Sequence, residues 1–147
     1  VRDRDALRAG LADGTIDVLV SDHTPGDEDE KALPFAESEP GATGLELLLS
    51  LALKWSNDSG AGLTRALAVL TSSPASVLGD SLGPLAASAG QLVAGGIADL
   101  CVFDPAASWT VEPAALRSQG KHTPFSGYEL PGRVRCTVVG GHIAFEA

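Results

Sequence analysis

At 147 residues, 44% hydrophobic and 20% charged, the chain has the size and balance of one ordinary domain with a buried core. Nineteen acidic against ten basic residues leave a net charge of −9, a surface that repels phosphate backbones and anionic lipid, so neither nucleic acid nor membrane is an expected partner. The longest apolar run, residues 44–53, is broken by Glu46 and reaches only about half the length of a bilayer-spanning helix.

The charged start, VRDRDALRAG, lacks the apolar stretch of a secretory leader, and opening on Val rather than Met fits a piece of a longer chain. Residues 3–12 set Ala6, Leu7, Leu11 and Ala12 among charges, a short amphipathic helix closed by the Asp13-Gly14 turn. The run IDVLVS at 16–21 is apolar at nearly every position, as in a strand buried on both faces of a parallel sheet. Residues 24–43 are rich in proline, glycine and acids, an irregular loop long enough to expect a function for it.

Apolar periodicity then predicts helices over 44–55 and 63–71. A third is expected near 74–78, with Ser73 as cap, Pro74 at the first helical position and Gly79 as the stop. Beyond Gly79 the pattern turns to β: 90–104 reads as two strands around Gly95-Gly96, 109–111 as a strand, Pro113 as the start of one helical turn, and 133–146 as a hairpin. The expectation is a helical first half and a β second half, divided near residues 80–90. Cys101 and Cys136 lie in apolar runs without a Cys-x-x-Cys spacing and read as reduced core residues of a cytoplasmic protein.

Asp22 ends the apolar strand and opens the long loop, the place where α/β folds gather functional side chains. Its carboxylate can ligate a metal or act as a general base; equally, an Asp here can cap the following turn. His23 follows and, on a strand, points to the other face, so it reads as a hydrogen-bonded packing residue. His122 stands in an irregular stretch, and His142 beside a Gly-Gly turn reads as an exposed hairpin residue. The three histidines form no His-x-His or His-Glu-x-x-His cluster. The acidic run 26–31 lacks the alternating ligands of a calcium loop and reads as solvated loop or helix start. In PGATGLE, residues 40–46, two glycines precede a helix, where free backbone N–H groups could meet an anion.

In chain order, DGTIDVLVSDHTP, acids before LPF, PGATGLE, SSPASVLG, GQLVAGGIADLCVFDP, GKHTPFSGYELPGRV and VVGGHIAFE resemble the C-terminal portion of a bacterial dihydroorotase of the larger type, in the amidohydrolase superfamily. The series runs through essentially the whole chain. The resemblance implies an α/β fold: the last strand and helices of a distorted (β/α)8 barrel over residues 1–82, then the C-terminal strands of a small β-sandwich over 83–147. It implies a zinc enzyme, with one or two ions, that interconverts N-carbamoyl-L-aspartate and dihydroorotate in pyrimidine biosynthesis. Asp22 then matches the strand-end Asp that binds metal and shuttles the proton. Pro40, Gly41 and Gly44 match the loop whose backbone contacts the substrate ring.

Two departures qualify the resemblance. The family string Asp-His-Ala-Pro-His, whose last His helps hold the substrate carboxylate, is here Asp22-His23-Thr24-Pro25-Gly26. Losing a charge-assisted hydrogen bond to a buried carboxylate costs on the order of 1.5–3 kcal/mol. The remaining metal ligands of the family, a His-x-His pair, a carboxylated Lys or Asp and two more His, have no counterpart here, so this chain alone is expected to be inactive and to bind no zinc. The alternative expectation is a non-catalytic dihydroorotase-like protein that supports assembly of aspartate carbamoyltransferase. An apolar strand at 16–21 without neighbours also predicts a homo-oligomer.

Overall fold

A computed structural model describes residues 1–147. The first helix, α1 (Arg2–Asp13), ends at Gly14 as the sequence predicts and turns Leu11 inward. Residues 16–21 run extended but form no ladder. Parallel strands draw their hydrogen bonds from neighbours, and here the backbone bonds to other parts of the chain are Ile16 N–H to the Gly10 carbonyl of α1, 2.9 Å, and Leu19 N–H to the Val69 carbonyl, 3.1 Å. Ile16 and Leu19 are nevertheless partly buried against the cluster of Leu11, Trp55 and Val69, whereas Val20 is 69% exposed.

Within the acidic loop a single turn, α2 (Glu28–Lys31), forms where the sequence allows a helix start: the Glu30 carboxylate accepts from the Asp27 N–H at 3.3 Å. A 3-10 turn at Leu45–Leu47 leads into α3 (Leu48–Ser59), followed by α4 (Leu63–Ala68) and α5 (Ser72–Leu78). The start of α5 differs from expectation. Thr71 occupies the cap position and Pro74 is the third helical residue, tolerated because a first-turn residue needs no N–H partner.

The second half carries one antiparallel sheet in the order β1 (Leu100–Thr110), β2 (Glu129–Val139), β3 (His142–Glu146). The hairpin between β2 and β3 is the predicted one, with Gly140 and Gly141 at its turn. The strand expected at the start of 90–104 is absent: Gly96 N–H turns back to the Val93 carbonyl, and no strand lies beside it. The one expected at 109–111 is the far end of β1, which bulges between Asp104 and Ser108. In that bulge the Asp104 carboxylate accepts from the N–H groups of Ala106 and Ala107 at 2.9 and 3.2 Å, replacing ladder bonds that Pro105 interrupts.

The helices join the sheet through one packed layer. Leu47, Val111, Leu116 and Leu130 are buried together, flanked by Leu51, Trp109 and Phe125, and each such aliphatic side chain contributes roughly 1.5–3 kcal/mol. At Gly132, with φ +86°, a Cβ would run into Leu53 Cδ1, so the glycine lets α3 lie directly on β2. The cysteines are not core residues. Both are free, Cys101 exposed and Cys136 half-buried, and Val102, Val139 and Ile143 near them in the sheet are exposed too, so this end of the sheet is not covered by the helices.

Candidate functional site around Asp22

Asp22 adopts φ +44°, the one non-glycine residue in the left-handed region. Aspartate tolerates that region, but the conformation still carries local strain of order 1 kcal/mol, and strain of this kind gathers at functional positions. Its exposed carboxylate makes no hydrogen bond in the chain, so the turn-capping role is not taken. The turn is closed instead by the Thr24 hydroxyl, which donates to the Asp22 carbonyl at 3.2 Å.

His23 does take a packing role. Its Nδ1 accepts from the N–H groups of Gly44 and Leu45, at 3.1 and 3.2 Å, which assigns the ring proton to Nε2. These are the N–H groups that the sequence offered to an anion, and the imidazole already uses them. Alongside, Thr24 N–H donates to the Ala42 carbonyl at 3.1 Å, and His23 and Ala42 form an isolated parallel bridge.

The PGATG segment, residues 40–44, is thereby fastened along the strand end. Gly41 has φ +99°, and a Cβ there would lie 2.5 Å from the Thr24 carbonyl; at Gly44 a Cβ would lie 2.9 Å from the Ser21 carbonyl. Both glycines permit the close approach of two backbones. From the acidic loop, Lys31 Nζ donates to the carbonyls of Glu39, Pro40 and Gly41 at 2.5, 2.9 and 3.0 Å. From the far side, the Thr43 hydroxyl and N–H donate to the carbonyls of Gly120 and His122 at 2.6 and 2.8 Å. The Glu46 carboxylate accepts from the N–H groups of Arg117 and Ser118 at 2.9 and 2.8 Å. Sequence reasoning missed Lys31, Glu46 and the 117–122 segment, whose role rests on contacts across more than seventy residues in the last two cases.

Gly41 and Gly44 therefore lie against Thr24 and Ser21, which flank Asp22 and His23, while Pro40 is held by Lys31. His122 is exposed and contributes only its carbonyl; His142 is exposed on β3, as its hairpin position suggests. Gly26 faces the Lys31 stem, with a hypothetical Cβ 3.1 Å from Lys31 Cε and 3.2 Å from Glu30 Oε2, so a larger side chain requires Lys31 to move. No three His, Cys, Asp or Glu side chains converge anywhere in the chain. A catalytic zinc takes about three protein ligands, so the residues present do not by themselves fit the metal.

The arrangement of an extended segment, a glycine-tight loop and an open carboxylate sits in the fold of the C-terminal part of cyclic-amide hydrolase structures. An L-hydantoinase (dihydropyrimidinase) from Arthrobacter aurescens superposes with a TM-score of 0.80 at 30% identity, over 95% of this chain and 31% of that one. A D-hydantoinase (dihydropyrimidinase) from Thermus sp. gives 0.83 at 27%, over 97% and 31%. In sequence the chain matches the C-terminal portion of dihydroorotases. It is 39% identical over 145 residues to a dihydroorotase of Citrifermentans bemidjiense, 99% of this chain and 32% of the relative. It is 44% identical over 142 residues to a dihydroorotase-like protein of Pseudomonas putida, 97% of this chain and again 32% of the relative. The chain thus spans about a third of the length of the curated relatives it matches. No protein-family model matches it.

Proposed function

We propose that this sequence is the C-terminal part of a dihydroorotase-type cyclic amidohydrolase acting on dihydroorotate and carbamoyl aspartate in pyrimidine biosynthesis. The observation that carries the reading is Asp22: a carboxylate without an internal partner, in a strained conformation at the end of the extended segment 16–21, beside a loop pressed close by its glycines. Such a carboxylate is free to accept or deliver a proton at the reacting amide. The segment with Pro40, Gly41 and Gly44 forms one wall against the substrate ring. In the complete protein Asp22 would be one ligand of a zinc ion, which would supply electrophilic polarisation of the amide carbonyl. By itself the 147-residue chain is inactive. Residues 1–82 act as the barrel part and 83–147 as the sandwich part. The free thiols of Cys101 and Cys136 suit a reducing cytoplasm.

One observation favours a second reading. Gly26 leaves no side chain where the family resemblance places a substrate-holding His, which suits a non-catalytic protein that supports aspartate carbamoyltransferase assembly. The two readings separate in the complete protein assayed for dihydroorotate hydrolysis with added zinc, beside a Gly26→His variant. Turnover in either supports the enzyme. No turnover in both, with aspartate carbamoyltransferase copurifying, overturns it.

A further inference from the structure

We propose that His23 is a positioning residue: its Nδ1 anchors the loop at Gly44 and Leu45, setting the substrate-facing wall. This rests on the reading of the PGATG segment as that wall. The anchor itself rests on geometry. Two consecutive backbone N–H groups, which open the 3-10 turn at Leu45–Leu47, both point at one imidazole nitrogen at 3.1 and 3.2 Å. Neither has an acceptor earlier in its own turn, so without the imidazole they are left to solvent. The same residue sits in the bridge to Ala42, and its neighbour Thr24 binds the Ala42 carbonyl at 3.1 Å.

The anchor acts where placement matters most. Asp22 and His23 are adjacent, so the residue that offers the open carboxylate and the residue that fixes the loop share one rigid stretch of backbone. A shift of the loop by about 1 Å misplaces a bound ring relative to Asp22, an error that can cost roughly a hundredfold in rate. Lys31 and Thr43 hold other points of the loop, but neither reaches the N–H groups of Gly44 and Leu45.

The two ring nitrogens can be told apart by substitution. Asparagine places an acceptor where Nδ1 stands, and glutamine places one nearer Nε2. In the complete protein, His23→Ala is expected to speed amide hydrogen exchange at Gly44 and Leu45 and to lower kcat/KM about tenfold or more, mainly through KM. His23→Asn is expected to restore both, and His23→Gln neither. Rescue by Gln but not Asn, or unchanged exchange in His23→Ala, overturns the proposal. Faster exchange with kcat and KM unchanged keeps the anchor but removes the loop from the substrate site, and so counts against the proposed function instead.

Discussion

The Ser50 hydroxyl accepts the Trp109 indole N–H at 3.1 Å and donates to the Gly132 carbonyl at 3.0 Å, so one buried side chain of α3 ties both β1 and β2 to the helical layer. Removing it leaves a donor and an acceptor unpaired at the helix–sheet seam. Ser50→Ala is therefore expected to destabilise the fold by about 1–3 kcal/mol, more than its lost volume implies. Thermal unfolding checks this, at roughly 2–4 °C per kcal/mol for a chain of this size.

Gly132 lies opposite that serine and meets two constraints at once, its positive φ and the Leu53 side chain. Gly132→Ala is expected to destabilise by more than about 1 kcal/mol. Denaturation of Gly132→Ala in a Leu53→Ala background separates the two: what persists there is backbone strain, and what disappears is the clash.

These packing relations mark the limit of what the sequence shows. The stop of α1 at Gly14, the β2–β3 hairpin and the exposed acidic turn were legible because glycine placement and alternation are local signals. The bulge in β1 was not, since Asp104 stands in for ladder bonds only once β2 is in place. The free carboxylate of Asp22 and the packing role of His23 were both open in the residue pattern. What decides between them is the loop some twenty residues on, which takes the imidazole and leaves the carboxylate. Lys31 reads as the end of an acidic run, and only the folded loop shows it gathering three carbonyls.

Asp58 gives a pH dependence. The Arg8 guanidinium at 2.8 Å, opposed by modest desolvation and helped by Lys54, holds its carboxyl below the ordinary 3.8. A depressed carboxylate stabilises the fold above its unfolded value and loses that contribution as pH falls through the folded one. The difference in stability between the native chain and Asp58→Asn should be largest at neutral pH and close below about pH 3.8. Both partners are about 40% exposed, so the gap stays small and shrinks with salt. Urea denaturation at several pH values measures it.

The segment 16–21, with Val20 exposed, and the exposed Val102, Val139 and Ile143 of the sheet leave apolar surface that water does not favour. The 147-residue chain on its own is expected to self-associate at micromolar concentration. Light scattering that finds a monomer with cooperative unfolding contradicts this.

An isosteric change at the Asp22 carboxylate tests its role in hydrolysis most directly. The complete protein and its Asp22→Asn variant would be compared for dihydroorotate hydrolysis and for bound zinc by elemental analysis, with thermal unfolding to confirm an intact fold. The expected result is a fall in kcat/KM of about 10²–10⁴-fold with reduced zinc occupancy. Unchanged hydrolysis and unchanged zinc in a folded Asp22→Asn protein would contradict it.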